Sequence, residues 1–138
     1  LPTPLIVGFG AAVEIACKEM KKEQARLRKL RDGLQAALLQ AIPNSSVNGH
    51  LDKRVAGILN INLPPVDAEA LVASLSGQIA FSTGSACTSD KIEPSHVLQR
   101  LTSDSKSAIR ISLGNLVTSI DYAELQLIDT HLRISQFL

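Results

Sequence analysis

Residues 54–63 read RVAGILNINL, and the fold can be built outward from them. In the second half of this stretch, Asn60 and Asn62 alternate with aliphatic residues. A period of two is typical of a strand with one buried face, so the pattern predicts a strand over about Gly57–Leu63. Pro64-Pro65 follows at once and predicts the end of the strand, because proline cannot donate a hydrogen bond to a sheet ladder.

Caps, breakers and periodicity predict further elements around this strand. They are a short strand at Ser46–Val47, a helix from the Asp67 cap to about Ser76, a short strand at residues 79–81, a short helix opened by residues 93–95, a strand at Ala108–Leu113 and a final helix capped by Thr118 or Ser119. This order predicts an α/β chain of the α+β kind, in which a small, mostly antiparallel sheet is backed by helices.

The chain before these elements is predicted to form one long helix. Thr3 and Pro4 suit the N-cap and the first helical position, and Pro43 ends the helix near Ala41. Such a helix would be on the order of 55 Å long. Residues 5–17 are apolar on every side, whereas the later leucines recur at steps of three and four. We therefore expect the second half to pack on this domain and the first half to need other partners.

Composition restricts the classes of function. The 138 residues suit about one domain, and only 3% of them are aromatic, so aliphatic side chains must build the core. A net charge of +1 gives no reason to expect nucleic acid or an anionic membrane as a partner. The apolar run at residues 5–17 is shorter than the ~20 residues that span a bilayer. Basic residues between positions 18 and 31 are interleaved with acidic ones, which predicts a solvated helix face.

The two cysteines, Cys17 and Cys87, are expected to differ in chemistry. They lie far apart and without C-x-x-C or H-x-x-x-H spacing, so we expect neither a disulfide nor a metal site, and a reducing, cytoplasmic compartment. Cys17 closes an apolar helical run and is expected to be an inert buried residue. Cys87 lies in Ser82–Ser89, STGSACTS, where small, hydroxyl-bearing and flexible residues predict an accessible loop. We interpret Cys87 as a candidate nucleophilic thiol.

Arg110 is the second candidate site residue. It lies on the polar face of the predicted strand Ala108–Leu113, and its planar fork can bind a carboxylate through two hydrogen bonds. A surface arginine that pairs with a nearby acidic residue is the alternative. If this strand lies beside the one that leads into the cysteine loop, a carboxylate anchor and a thiol share one edge of the domain. His96 and His50 are both interpreted as solvent-facing, although a pair of His96 with Cys87 is conceivable.

Five segments together resemble one family. LIVGFGAA, RVAGILNINL, STGSACTS, IEPSHVL and IRISLG occur in the order seen in the C-terminal part of cysteine desulfurases. These are pyridoxal-phosphate-dependent relatives of the class V aminotransferases that supply iron–sulfur cluster assembly. The resemblance spans nearly the whole chain, and the ordered set around GSACTS is its most specific part.

The resemblance implies an activity and two residue roles. Pyridoxal phosphate acts as an electron sink for L-cysteine, Cys87 takes the sulfur as a persulfide, and alanine is released. Cys87 matches the persulfide-forming cysteine of the family, and Arg110 matches the arginine that binds the substrate carboxylate. A homodimer partner and a sulfur-acceptor or iron–sulfur scaffold protein are implied as partners.

The resemblance also implies a domain organisation. Residues 1–41 match a helix that bridges to a large domain absent from this chain, and residues 42–138 match a small domain whose cysteine loop spans residues 82–91. The family's cofactor lysine belongs to the large domain, and no lysine here matches it. We therefore expect no cofactor-binding residue in this chain and no activity from it alone. A sulfur-relay or scaffold module without cofactor chemistry remains an alternative, as does a relative that acts on selenocysteine.

Overall fold

The structure, a computed structural model, describes residues 2–76, 80–83, 95–102, 105–114 and 116–120. The elements in chain order are α1 (Thr3–Ala41), β1 (Ser46–Val47), β2 (Ile58–Asn62), α2 (Ala68–Leu75), β3 (Ser82–Thr83), α3 (His96–Leu101) and β4 (Ala108–Ser112). The strands in these residues form one sheet in the order β1-β2-β4-β3, with antiparallel neighbours throughout. The predicted α+β class and small antiparallel sheet are confirmed.

The alternation in β2 separates a core face of the sheet from a polar face. Leu59 and Ile61 point to one face and are completely buried, together with Ile109 of β4. Leucines of α1 and α2 pack in the same apolar cluster, so both helices cover this face. The predicted cap of α2 is confirmed, because the Asp67 carboxylate accepts hydrogen bonds from two backbone N–H groups of the first turn.

The long helix α1 is confirmed to end at Ala41, but Thr3 is not its N-cap. Pro2 holds that position, because its carbonyl already accepts hydrogen bonds from the N–H groups of Leu5 and Ile6. The predicted difference between the halves is visible in burial. All the buried residues of α1 lie at positions 31–38, whereas Phe9 in the first half is 73% exposed.

Two predictions about side chains on α1 are wrong. Cys17 is exposed, because none of the described elements packs on the first half of the helix. Arg31 belongs to the basic run expected to face solvent, yet it is 2% exposed. Its guanidinium donates to Asp32 Oδ1 and to the carbonyl of Val55, so it attaches α1 to the segment before β2. Burial, and then the charge of Arg31, lower the pKa of the neighbouring Arg54.

The predicted strand at residues 79–81 is wrong within the described residues. Ala80 and Phe81 lie outside any strand, and β3 begins at Ser82. Its extent is set by pairing with β4, while Phe81 packs against the apolar core instead. The short helix opened near Ser95 and the strand that starts at Ala108 are confirmed. The final helix was predicted for residues that lie mostly beyond position 120, outside the described residues.

Candidate functional site

Arg110 and the strand that leads to Cys87 are direct neighbours in the sheet. In the antiparallel pair of β3 and β4, Ser82 lies opposite Arg110 and Thr83 lies opposite Ile109. Opposed residues share a face and have Cβ atoms about 4.5–5.5 Å apart. The neighbour of β4 is β3 at Ser82–Thr83 rather than the strand expected at residues 79–81, and the segment that leads to Cys87 does lie beside the Arg110 strand as expected. Cys87, and residues 84–94 as a whole, lie outside the described residues.

Arg110 is an exposed arginine on the polar face of β4. Its neighbours Ile109 and Ile111 turn toward the core, which fixes the direction of the Arg110 side chain. Within the described part of the chain, no carboxylate forms an ion pair with its guanidinium and no group hydrogen-bonds to it. The alternative of a surface arginine paired with a nearby acid is therefore not met among these residues.

Three asparagines extend the polar face away from Arg110, and sequence reasoning did not assign them a role. Asn60 of β2 lies directly opposite Arg110, and Asn62 follows on the same face. Asn48 comes just after β1 and donates from Nδ2 to Asn60 Oδ1 at 2.7 Å and to Asn62 Oδ1 at 2.8 Å. The sequence did contain an indication of such a role. Asparagine is disfavoured in strands, yet two asparagines occupy successive polar positions of β2.

The short helix α3 is attached to this face of the sheet at one end. Asn62 Nδ2 donates to the hydroxyl of Thr102, the C-cap residue that follows α3, at 2.5 Å. Asn62 and Ala108 are buried, whereas Arg110 on the same face is exposed. The polar face is therefore covered near Asn62 and open at Arg110.

The chain beyond β4 is held by Arg26 of α1. Its guanidinium donates to the backbone carbonyls of Val117 and Gly114, and to both carboxylate oxygens of Glu23. The hydrogen bond from Arg26 lowers the pKa of the Glu23 carboxyl and raises that of the Arg26 guanidinium. Gly114 and Val117, which follow the strand carrying Arg110, are thus attached to the long helix.

The histidines do not join the candidate site in the described residues. His50 Nδ1 accepts hydrogen bonds from the backbone N–H groups of Asp52 and Lys53, so it stabilises a turn. His96 is an exposed residue at the start of α3. No group of three or more metal-ligating side chains occurs among the described residues. None of the helices they form is both long enough and apolar enough to cross a membrane.

The described residues do not fit a pyridoxal phosphate site. Every lysine among them has an exposed side chain, so none is enclosed in a way that would protect an imine. A shallow depression on α1 is lined, among described residues, by Ala12, Ile15, Ala16, Glu19, Met20 and Glu23. This lining holds two carboxylates and no basic group that could bind a phosphate.

The family model and the curated relatives that match this chain indicate the same family. The family model described as Aminotransferase class-V matches residues 1–125. The cysteine desulfurase IscS of Ehrlichia chaffeensis is 40% identical over 121 residues, covering 86% of this chain and 29% of the relative. IscS of Tolumonas auensis is 45% identical over 128 residues, covering 89% and 31%. The human cysteine desulfurase is 37% identical over 127 residues, covering 88% and 28%.

Solved structures agree with this result. A NifS-like protein matches all of this chain and 35% of its own, with a TM-score of 0.73 and 26% identity. DndA from Streptomyces lividans matches 81% of this chain and 32% of its own, with a TM-score of 0.55 and 38% identity. The chain therefore spans about a third of the length of the relatives it matches.

Proposed function

The chain belongs to the class V aminotransferase family, and we propose that it is the C-terminal, small-domain part of a cysteine desulfurase. In this proposal residues 1–41 bridge to a larger domain of the same protein. Residues 42–138 form the small domain and carry the cysteine segment at residues 82–91. The reaction converts L-cysteine to L-alanine and leaves the sulfur on the protein as a persulfide. The names of the curated relatives support this activity.

The observation that carries the proposal is the pairing of Ser82 with Arg110. Four peptide bonds separate Thr83 from Cys87, so the Cα atoms of these two residues lie at most about 14 Å apart. The chain therefore limits how far Cys87 can lie from Ser82, the residue opposite Arg110, and this arginine has no protein acceptor in the described part of the chain. This reach allows both groups to act on one small substrate that carries a carboxylate and a sulfur atom, such as L-cysteine.

Arg110 acts in this proposal as the carboxylate anchor. A guanidinium donates two parallel hydrogen bonds to a carboxylate, which fixes the position and the orientation of the amino acid. Because β4 pairs with β2 on one side and with β3 on the other, the anchor sits on a paired strand rather than on a loop. Such an anchor holds the rest of the substrate at a constant distance from the sheet.

Cys87 acts as the sulfur acceptor. Its thiolate attacks the sulfur of L-cysteine, a sulfur–sulfur bond forms, and the carbon–sulfur bond of the substrate breaks. The substrate carbon takes up a proton and leaves as L-alanine, so the thiol and L-cysteine together yield a persulfide and L-alanine without an external oxidant or reductant. The thiolate is the reactive form of the cysteine in this step.

Pyridoxal phosphate belongs in this proposal to the larger domain. The family uses the cofactor as an electron sink, and the lysines among the described residues are all exposed, so none of them offers it an enclosed site. The small domain alone is therefore proposed to be inactive. We propose a homodimer in the cytoplasm that passes its persulfide sulfur to an acceptor protein for iron–sulfur cluster or thio-cofactor synthesis.

Alanine release from L-cysteine tests this function. The intact protein, supplied with pyridoxal phosphate, is compared with its Cys87→Ser and Arg110→Lys variants, and Cys17→Ser is the matched control. We expect Cys87→Ser to abolish alanine formation, Arg110→Lys to raise the KM for L-cysteine, and Cys17→Ser to change neither. Absence of alanine from the intact protein would instead favour a sulfur-relay module, and turnover of selenocysteine alone would favour a selenocysteine lyase.

A further inference from the structure

We propose that Asn60 is a second ligand of the substrate carboxylate, and that Asn48 and Asn62 fix its orientation. The inference rests on the proposed function, because it assumes that Arg110 binds a carboxylate. It concerns a residue that lies on a different strand from Arg110 and that the sequence singles out only as a polar position in β2.

The direction of hydrogen bonding within the asparagine cluster fixes how each amide is turned. An amide nitrogen carries two N–H donors, and Asn48 Nδ2 uses them on Asn60 Oδ1 and Asn62 Oδ1. Both receiving side chains must therefore direct their own NH2 groups away from Asn48. Asn62 Nδ2 then donates to the Thr102 hydroxyl, which completes that branch.

The NH2 group of Asn60 has no corresponding acceptor among the described residues. Asn60 Oδ1 is occupied by Asn48, and no described residue accepts a hydrogen bond from Asn60 Nδ2. In the sheet, Asn48 flanks Asn60 on the β1 side and Arg110 flanks it on the β4 side. The NH2 group is consequently left beside the arginine, whose donors also have no acceptor in the described part of the chain. Asn60 is only partly buried, so a ligand can reach it.

These donors together match the acceptor capacity of a carboxylate. An ionised carboxylate offers about four lone-pair sites on two oxygens. The arginine fork takes two of them, and the remaining sites are available to a neighbouring donor. Since directly opposed side chains have Cβ atoms about 4.5–5.5 Å apart, Asn60 is within reach of an anion held by Arg110. The part-buried hydrogen bond from Asn48 holds the Asn60 amide in place before the ligand arrives.

Two variants of the full-length holoenzyme separate the donor from the network. Asn60→Asp keeps an oxygen that accepts from Asn48 and replaces the NH2 group by a second oxygen, so the network survives while the donor is lost. Asn60→Ala removes both the oxygen that accepts from Asn48 and the NH2 donor. Ser46→Asp is the matched control. Ser46 is exposed on the same face of the sheet, two strands away from Arg110, and its replacement by aspartate adds the same negative charge as Asn60→Asp.

Binding of two small ligands is measured besides turnover. 3-Mercaptopropionate carries a thiol and a carboxylate, and cysteamine carries a thiol and an amine but no carboxylate. We expect Asn60→Ala to weaken the binding of 3-mercaptopropionate about tenfold, because the variant loses a hydrogen bond to a charged group. Asn60→Asp should weaken this binding more, because it also places a negative charge beside the carboxylate. Cysteamine binding is expected to stay unchanged, and the KM for L-cysteine is expected to rise with little change in kcat. Ser46→Asp should resemble the unmodified protein.

The outcomes distinguish this inference from the proposed function. If alanine forms but both Asn60 variants bind 3-mercaptopropionate like the unmodified protein, the role of Asn60 is overturned and the desulfurase assignment stands. If no alanine forms but the carboxylate ligand binds in a way that depends on both Asn60 and Arg110, the site stands and the proposed activity fails. Equal loss of cysteamine and 3-mercaptopropionate binding in Asn60→Asp would show a structural role and would also overturn the inference.

Discussion

Gly57→Ala tests the close contact that joins β2 to the end of the strand carrying Arg110. A Cβ atom at position 57 would lie 2.5 Å from the carbonyl oxygen of Leu113 and 3.3 Å from Leu27 Cδ1. The leucine side chain can rotate away, but the carbonyl belongs to the backbone. The N–H of Leu113 also donates to the carbonyl of Gly57 at 2.7 Å, so relief of the clash strains or breaks this bond.

The cost follows from these two effects. Overpacking a buried site costs about 1–3 kcal/mol, and loss of a backbone hydrogen bond costs about 0.5–1.5 kcal/mol. We therefore expect Gly57→Ala to lower the free energy of unfolding by about 2–4 kcal/mol. Any glycine-to-alanine change also stabilises by about 0.4–1 kcal/mol through the unfolded chain. A control variant is needed to separate that contribution from the clash.

Gly114→Ala provides this control. A Cβ atom there meets nothing within 4 Å, and Gly114 lies next to Leu113 beyond the end of the same strand. Urea unfolding of the intact protein, followed by far-UV circular dichroism, gives the midpoints of both variants. We expect Gly57→Ala to unfold at a clearly lower urea concentration than Gly114→Ala. Equal midpoints would refute the close packing of β2 against the end of β4.

Two further predictions concern α1. Leu38→Ala should destabilise the protein by about 2–5 kcal/mol, because Leu38 is fully buried in the core. Its neighbour Leu39 is 39% exposed, so Leu39→Ala should cost much less in the same urea titration. Glu23→Gln should lower stability at neutral pH but not in acid. The hydrogen bond and ion pair with Arg26 lower the pKa of the Glu23 carboxyl below its ordinary value of 4.5. The stability that this pair contributes is therefore present above pH 4.5 and is lost as the pH falls through the lowered pKa. Unfolding midpoints at both pH values check this, and a difference that persists in acid would contradict it.

Local pattern predicted much of the backbone. The alternation around Asn60 predicted β2, and the carboxylate of Asp67 before an apolar run predicted the start of α2. The end of α1 was also predicted, since Pro43 cannot continue a helix without loss of a backbone hydrogen bond. For the two helix ends the determining residue lies within a few positions, and for β2 the local alternation marks which face is buried although its hydrogen-bond partners lie on β1 and β4.

The remaining features depend on contacts between distant segments. β3 lies at Ser82–Thr83 rather than at residues 79–81, because its register is set by β4. Arg31 is buried because Val55 and Asp32 supply acceptors for it, and the spacing of charges along α1 does not encode this. The asparagine cluster likewise requires β1 and β2 to be aligned. The adjacency of Arg110 to the strand before Cys87 could be predicted, whereas the role of Asn60 could not.

The state of the Cys87 sulfur after a single turnover tests the central claim most directly. The intact protein with pyridoxal phosphate is mixed with L-cysteine, quenched with a thiol-blocking reagent and digested, and the peptides containing Cys87 and Cys17 are compared by mass spectrometry. Cys17 is an internal control, because it is an exposed thiol on the first half of α1. The account predicts one added sulfur atom on Cys87, in proportion to the alanine formed, and none on Cys17. Alanine formation with unmodified Cys87, or equal modification of both cysteines, would contradict the account.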